Sequence, residues 1–396
     1  MQLTSETAIG VLGAGAMGAG IAQVAARHGH RVIVVDSSAE ALERGRADAA
    51  KALRRDVEKG RLTERGASDV LVRLRFAGRQ GAGGMDGFRD CGLVIEAVVE
   101  RLDVKRELFA GLEQVVECDA VLATNTSSLS ISSIASACRR PERVLGVHFF
   151  NPATVMPLVE IVGGVGTSTE VVRETRRLVD GWDKTTVLAA DTPGFIVNRI
   201  ARPFYGESLR LLEEGVADAA TIDWAMRELG GFRMGPFELM DFIGHDVNFA
   251  VTRSVYDAFF QEPRYRPSLT QQRLVESGRL GRKSGRGFYE YGEGAEPPEP
   301  QRDTRLGTAI VDRVVAMLIN EAADAVLLRV ASPADIDLAM TKGVNYPKGL
   351  LAWANHVGVG TVLKRLDALH AEYGEDRYRA SVLLRRMARD GRGFDV

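Results

Sequence analysis

The 396-residue sequence predicts an α/β nucleotide-binding domain with an inserted helical hairpin, followed by two tandem all-α domains. Three observations carry that expectation. Short apolar runs alternate with helical stretches as far as about residue 190, the pattern of a mostly parallel sheet. The first run feeds a turn with spaced glycines at Gly13, Gly15 and Gly18. Beyond residue 190 the patterning is helical and occurs twice, because residues 195–244 align without a gap to 309–358.

The first strand, 8–12, leads into Gly13-Ala14-Gly15-Ala16-Met17-Gly18 and a small-residue helix over 19–28. Gly13 permits the tight turn, Gly15 lets a pyrophosphate approach the backbone, and Gly18 lets helix and strand pack closely. The helix N-terminus meets the phosphates with free N–H groups and the positive end of its dipole. The second strand, 31–35, ends on Asp36, at the spacing of the acid that binds the ribose hydroxyls in a Rossmann-type domain. Asp36 repels a 2′-phosphate, and Ser37 and Ser38 bring no arginine to welcome one, so the expected cofactor is NAD rather than NADP.

Residues 39–75 read as a polar helical hairpin, broken at Gly60 and restarted near Thr63. Its Lys51, Arg54, Arg55, Lys59 and Arg61 are interleaved with acids, as on a solvated helix face. Further strands are predicted at 93–98, 121–123, 144–147, 158–162 and 185–188. Three of them are expected to finish on polar side chains: Thr124-Asn125-Thr126-Ser127-Ser128, His148, and Glu160. Open α/β sheets place ligand chemistry at such ends. A lone histidine is more often a satisfied core residue, but here the neighbouring chain supplies a dinucleotide site.

At Asp191-Thr192-Pro193-Gly194 the alternation stops, with Thr192 a plausible N-cap and Pro193 at the first helical position. The expected division is a nucleotide-binding domain over 1–190, a helical domain over 191–291, a Gly/Glu/Pro linker over 292–303, and a second helical copy over 304–396. In that repeat Arg199 recurs as Arg313, Glu207 as Glu321, Asp223 as Asp337, Gly235 as Gly349, and Tyr265 as Tyr378. Asn198 becomes Asp312, and Lys283 has no counterpart before the chain ends, so the second copy reads as a packing module.

Composition narrows the class. A net charge of −2 argues against nucleic acid as the main partner. Cys91, Cys118 and Cys138 are scattered and suit a reducing compartment, with neither disulfide framework nor metal site. With no long apolar run and no signal-peptide pattern, a cytoplasmic location away from membranes is expected.

Together the motifs resemble the 3-hydroxyacyl-CoA dehydrogenases over almost the whole chain. They are G-A-G-A-M-G-A-G-I-A (13–22), V-I-E-A-V-V-E (94–100), T-N-T-S-S-L-S-I (124–131), H-F-F-N-P (148–152), L-V-E-I-V (158–162), D-T-P-G-F-I-V-N-R (191–199), M-G-P-F-E-L (234–239) and G-R-K-S-G-R-G-F-Y (281–289). The tandem helical copies and N-Y-P-K-G-L-L-A-W at 345–353 look most like a bacterial branch acting on 3-hydroxyadipyl-CoA or 3-hydroxybutyryl-CoA.

The resemblance implies NAD-dependent oxidation of (S)-3-hydroxyacyl-CoA to 3-oxoacyl-CoA, in fatty-acid or phenylacetate-type degradation. It implies His148 as general base, Glu160 as the acid orienting it, and Ser127 and Asn198 as substrate-binding groups. Gly13, Gly15, Met17, Gly18, Asp36, Glu100, Lys105, Asn151 and Lys283 match positions around NAD, and Arg55 and Lys59 match basic residues that meet the CoA phosphates. No metal is implied. Relatives with one helical domain pair two such domains across a homodimer, so a tandem copy is expected to supply that pairing within one chain, with a homodimer left open.

Two departures stand out: Pro157 in place of a lysine, and His245 in place of a leucine. Arg202, Arg253, Arg264 and Arg266 are candidates to meet a distal substrate carboxylate, though each reads first as a solvated surface arginine. A sugar-acid dehydrogenase related to lambda-crystallin would lack H-F-F-N-P and the tandem copy. A silent NAD-binding protein would have lost His148, Glu160 or Asn198, and all three are present.

Overall fold

The computed structural model describes residues 2–78 and 85–396 and divides into two compact units at Thr192 and Pro193. The first unit runs β1 (Ile9–Leu12), α1 (Ala16–Arg27), β2 (Val32–Asp36), α2 (Ala39–Glu58), α3 (Glu64–Arg73), β3 (Leu74–Gly78), β4 (Leu93–Glu96), α4 (Leu102–Val115), β5 (Val121–Thr124), α5 (Ile131–Ala135), β6 (Val144–Phe149), β7 (Leu158–Gly163), α6 (Thr169–Asp180) and β8 (Thr185–Ala190). One sheet takes all eight strands in the order β3-β2-β1-β4-β5-β6-β7-β8. The chain switches direction across the sheet between β1 and β4, the crevice where doubly wound folds bind dinucleotides. All neighbours are parallel except β6 and β7.

Side chains alternate between two cores, one on each face, so the central strands are buried throughout. Ile9, Val11, Val32, Val34, Leu93 and Ile95 enter one core with α1. Leu12, Ile33, Val35 and Val94 enter the other with Phe109 and Leu112 of α4. That two-sided burial is why these strands read as apolar runs rather than alternating patterns.

Two expectations are corrected here. The hairpin helices end at Arg73, and residues 74–78 form β3, an edge strand paired with β2, rather than further helix. Thr192 does not cap a helix: residues 193–196 are a turn, with positive φ at Gly194 (74°) and Phe195 (47°), and the next helix starts at Val197. The local capping acid is Asp191, which accepts from the Ile131 and Ser132 amides (2.9 and 2.8 Å) and the Ser130 hydroxyl (2.9 Å) at the start of α5.

The second unit is helical: α7 (Val197–Ile200), α8 (Arg202–Glu213), α9 (Ala219–Trp224), α10 (Pro236–Ile243), α11 (His245–Ala258), α12 (Leu269–Glu276), α13 (Thr304–Leu327), α14 (Pro333–Gly343), α15 (Leu350–Val357), α16 (Val359–Tyr373) and α17 (Val382–Arg389). The repeat is visible atom by atom. Asp223 accepts from the Phe237 and Glu238 amides at 2.9 Å, which caps α10. Asp337 does the same for Leu351 and Ala352 at 2.8 and 2.9 Å, capping α15. A Cβ on Gly235 or Gly349 would collide with that aspartate, which explains both glycines.

The copies hold each other through exchanged ion pairs. Arg199 Nε donates to Glu321 at 2.6 Å, and Tyr265 Oη donates to the same oxygen at 2.5 Å. In the reciprocal cluster Arg313 Nε and Tyr378 Oη each donate to Glu207 Oε2 at 3.0 Å. Removing one member of such a buried pair strands its partner's charge. Glu321→Ala is therefore expected to lower the unfolding free energy of this unit by about 3–5 kcal/mol. Chemical denaturation followed by tryptophan fluorescence checks it, and a loss under about 1 kcal/mol would place the cluster among weak surface pairs.

Candidate active site

The antiparallel register of β6 and β7 sets His148 directly opposite Glu160. Directly opposed residues project from the same face, a few ångströms apart, and His148 Nδ1 lies 2.6 Å from Glu160 Oε2. Glu160 has no exposed surface and His148 is 6% exposed. Both lie within their strands rather than at the polar ends expected from sequence. His148 is followed by one more strand residue, Phe149, and Glu160 sits third in β7. The Phe150 ring packs against the imidazole at a centroid distance of 4.5 Å.

Neighbouring β5 delivers the serine segment. Asn125 Oδ1 accepts the Phe149 amide at 2.8 Å and so ties the end of β5 to the end of β6. The Ser127 amide donates to Glu100 Oε1 at 2.9 Å, and the Thr126 hydroxyl to the same oxygen at 2.6 Å. Burial, the largest single influence on Glu100, pushes its carboxyl up. The nearby Lys105 ammonium and the hydrogen bonds from Thr126 and Ser127 outweigh it and hold the group below the usual carboxylate range.

Lys105 is 1% exposed, 3.3 Å from Glu100 and 2.6 Å from Glu96. The structure thus places it beneath the loop as a brace. Glu96 and Thr124 complete that brace, with the Thr124 hydroxyl donating to Glu96 at 2.7 Å. Both fall inside motifs read from the sequence, 94–100 and 124–131, but neither was singled out for a role; the one signal for Glu96 was an acid inside an otherwise apolar strand.

The glycine turn has the geometry its spacing implied. Gly13 sits at φ 110°, and a Cβ there would meet the Ala97 carbonyl. A Cβ on Gly18 would run into the Gly13 carbonyl, whereas one on Gly15 would find nothing within 4 Å. That open space at Gly15, over the N-terminus of α1, is what a pyrophosphate needs. Beside it a cleft of about 540 Å³ is lined by Gly13, Gly15, Asp36, Val98 and Glu107 among others. Asp36 accepts the Ala14 amide at 2.7 Å and the Ser38 amide at 2.8 Å. Each carboxylate oxygen keeps further acceptor capacity toward the cleft. The cradle fits a dinucleotide, and Glu107 is a lining residue the sequence did not mark.

The other candidates are placed as follows. Met17 is half-buried in the first turn of α1, and Asn151 is exposed just after β6. Pro157 does not break the edge pairing, since its carbonyl accepts the Thr185 amide at 2.8 Å. Arg55 and Lys59 are exposed at the C-terminal end of α2.

In the second unit, Asn198 is half-buried on α7 and Lys283 lies 2.5 Å from Asp246. His245 is fully buried, with Nε2 2.7 Å from Asp241, which also accepts the Phe288 and Tyr289 amides at 2.9 Å. The surface reading fails for two of the four arginines. Arg264 is buried against Asp324 and Glu321, and Arg202 is 6% exposed. Among the described residues no cluster of His, Cys, Asp or Glu suits a metal ion, and no helix is long and apolar enough to cross a membrane.

Comparison with known proteins agrees with this geometry. Residues 8–192 match the family model of the 3-hydroxyacyl-CoA dehydrogenase NAD-binding domain. Residues 194–291 and again 310–393 match the model of its C-terminal domain. The chain is 41% identical to 3-hydroxyadipyl-CoA dehydrogenase of Escherichia coli K12, covering 100% of both. It is 42% identical to a probable 3-hydroxybutyryl-CoA dehydrogenase of Deinococcus radiodurans, over 71% of this chain and 99% of that one. The crystal structure of 3-hydroxybutyryl-CoA dehydrogenase from E. coli K12 superposes with a TM-score of 0.92 at 40% identity, covering 98% of each chain. NAD is the cofactor, and the chain belongs to the 3-hydroxyacyl-CoA dehydrogenase family of oxidoreductases.

Proposed function

We propose that the protein oxidises (S)-3-hydroxyacyl-CoA thioesters to 3-oxoacyl-CoA, with His148 as the general base, in the degradation of fatty acids or of phenylacetate-type compounds. The buried His148–Glu160 pair carries this reading. Oxidising a secondary alcohol takes a hydride from C3 and a proton from the hydroxyl. Bound in the Gly13–Asp36 cleft, NAD supplies the hydride acceptor.

His148 takes the proton. Glu160 on Nδ1 orients the ring, directs Nε2 at the hydroxyl and stabilises the imidazolium that forms. Ser127 and Asn198 donate to substrate oxygens, while Glu100 and Lys105 hold the serine loop in place. Arg55 and Lys59 meet the CoA phosphates, and Lys283 and Asn151 serve the NAD side. The second helical copy stands in for a partner's helical domain, a reading supported by the exchanged Arg–Glu–Tyr clusters, which repeat one contact twice as an isologous interface does.

Three outcomes test this assignment. His148→Ala should lower kcat by about 10²–10⁴, the usual worth of a general base, with NAD affinity by fluorescence titration near wild type. A near-normal rate would remove His148 from the mechanism. Asp36→Ala combined with Ser37→Arg should move cofactor preference from NAD toward NADP, read as the ratio of kcat/KM for the two; equal use of both by the wild type would refute the role of Asp36. Charge reversal at Arg55 and Lys59 should raise KM for CoA thioesters and weaken its salt dependence, while short thioesters lacking the CoA phosphates respond little. If both substrate kinds respond alike, the hairpin face has no part in CoA binding.

A further inference from the structure

Arginines buried in the second unit come with carboxylates, with one exception. Arg199 lies 2.6 Å from Glu321, Arg313 3.0 Å from Glu207, Arg377 3.8 Å from Glu207, and Arg264 is paired to Asp324. Arg202, only 6% exposed, has no carboxylate within ion-pair distance among the described residues. Its Nε donates to the Asn198 carbonyl at 2.7 Å and its Nη1 to the Thr252 hydroxyl at 3.0 Å. The guanidinium stacks on the Tyr205 ring, 4.9 Å from its centroid.

A buried cation with only neutral partners is costly to keep. A stacked tyrosine offsets part of that cost, but leaves the charge without a counter-ion. An unpartnered polar group lies close by: the Tyr346 hydroxyl is buried without a hydrogen-bond partner, within electrostatic reach of Arg202. Tyr346 comes from the second helical copy. Its ring packs on Phe204 at 5.7 Å and on Phe232 at 5.0 Å, beside Arg202 and Tyr205. One unpaired cation and one unpaired hydroxyl together are the donor set a carboxylate takes.

Position indicates whose carboxylate. Arg202 follows Asn198 by four residues, and its Nε donates to the Asn198 carbonyl, which holds the guanidinium directly beside Asn198. In a six-carbon dicarboxylic acyl chain the free carboxylate lies three C–C bonds beyond C3, on the order of 4 Å. We propose that Arg202, with the Tyr346 hydroxyl, binds a carboxylate at the far end of the acyl chain, so that 3-hydroxyadipyl-CoA is preferred over 3-hydroxybutyryl-CoA, which lacks that group. This rests on the assignment of Asn198 to the reacting end of the substrate. It also gives the second helical copy a part in specificity, through Tyr346.

The test compares kcat/KM for 3-hydroxyadipyl-CoA and 3-hydroxybutyryl-CoA, followed by NADH absorbance, in the full-length wild type, Arg202→Gln, Arg202→Lys and Tyr346→Phe. The adipyl-to-butyryl ratio should exceed one in the wild type and fall about 10- to 100-fold in Arg202→Gln, the worth of a hydrogen-bonded charge. Arg202→Lys should keep part of the preference, and Tyr346→Phe should lower the ratio several-fold. A ratio that is unchanged in Arg202→Gln and Tyr346→Phe, whether both substrates slow equally or neither does, overturns the proposal and leaves Arg202 as a structural support for Asn198. If Arg202→Gln fails to fold, Tyr346→Phe, which removes only a hydroxyl, decides alone. A wild type that oxidises the butyryl thioester but shows no adipyl preference refutes the subsite alone. A wild type that oxidises neither refutes the functional assignment itself.

Discussion

The site depends on the antiparallel pairing of β6 with β7. Every other neighbouring pair in the sheet is parallel, with slanted, evenly spaced hydrogen bonds and strands joined through crossover connections. The single reversal lets two residues twelve positions apart, His148 and Glu160, stand directly across from one another and close to 2.6 Å without a loop to aim either of them. Strand backbone holds both side chains, so the pair is as rigid as the sheet. A slip of one residue would turn Glu160 to the other face and leave an uncompensated buried carboxylate, so register and chemistry enforce each other.

Around that pair the first unit stacks its supports in strand order. β5 ends in the loop carrying Ser127, and Asn125 ties that loop to β6. β4 contributes Glu96, and α4 sends Lys105 under the loop to Glu96 and Glu100. β1 and β2 close the series with the glycine turn and Asp36, locked by the Ala14 and Ser38 amides. The glycine cradle and the His148–Glu160 pair therefore belong to one sheet.

Much of this was legible in the sequence because it is local. The glycine turn and Asp36 are defined by backbone conformation within a single β-α-β unit. The helical repeat was legible because its capping acids and turn glycines recur in step. What escaped depends on partners distant in the chain. β3 continues directly from α3 as a half-buried edge strand, so its residues carry no continuous apolar run. Thr192-Pro193 has the form of a helix start, but Asp191 is engaged at α5 and Gly194 and Phe195 turn the chain instead. Local patterning places an arginine by its helix face, not by what covers it, and so Arg202 and Arg264 read as solvated. The strand interiors of His148 and Glu160 were read as strand ends for a related reason: an apolar run stops where a buried polar residue begins, even when the strand goes on.

In the proposed mechanism Glu160 acts only through His148. A double-mutant cycle on kcat, with His148→Ala, Glu160→Gln and the double variant, tests it most directly. If the two residues form one proton-accepting unit, the double variant is no slower than His148→Ala alone. If the two losses multiply, Glu160 has an independent role and the cross-strand pair is not the catalytic unit described here.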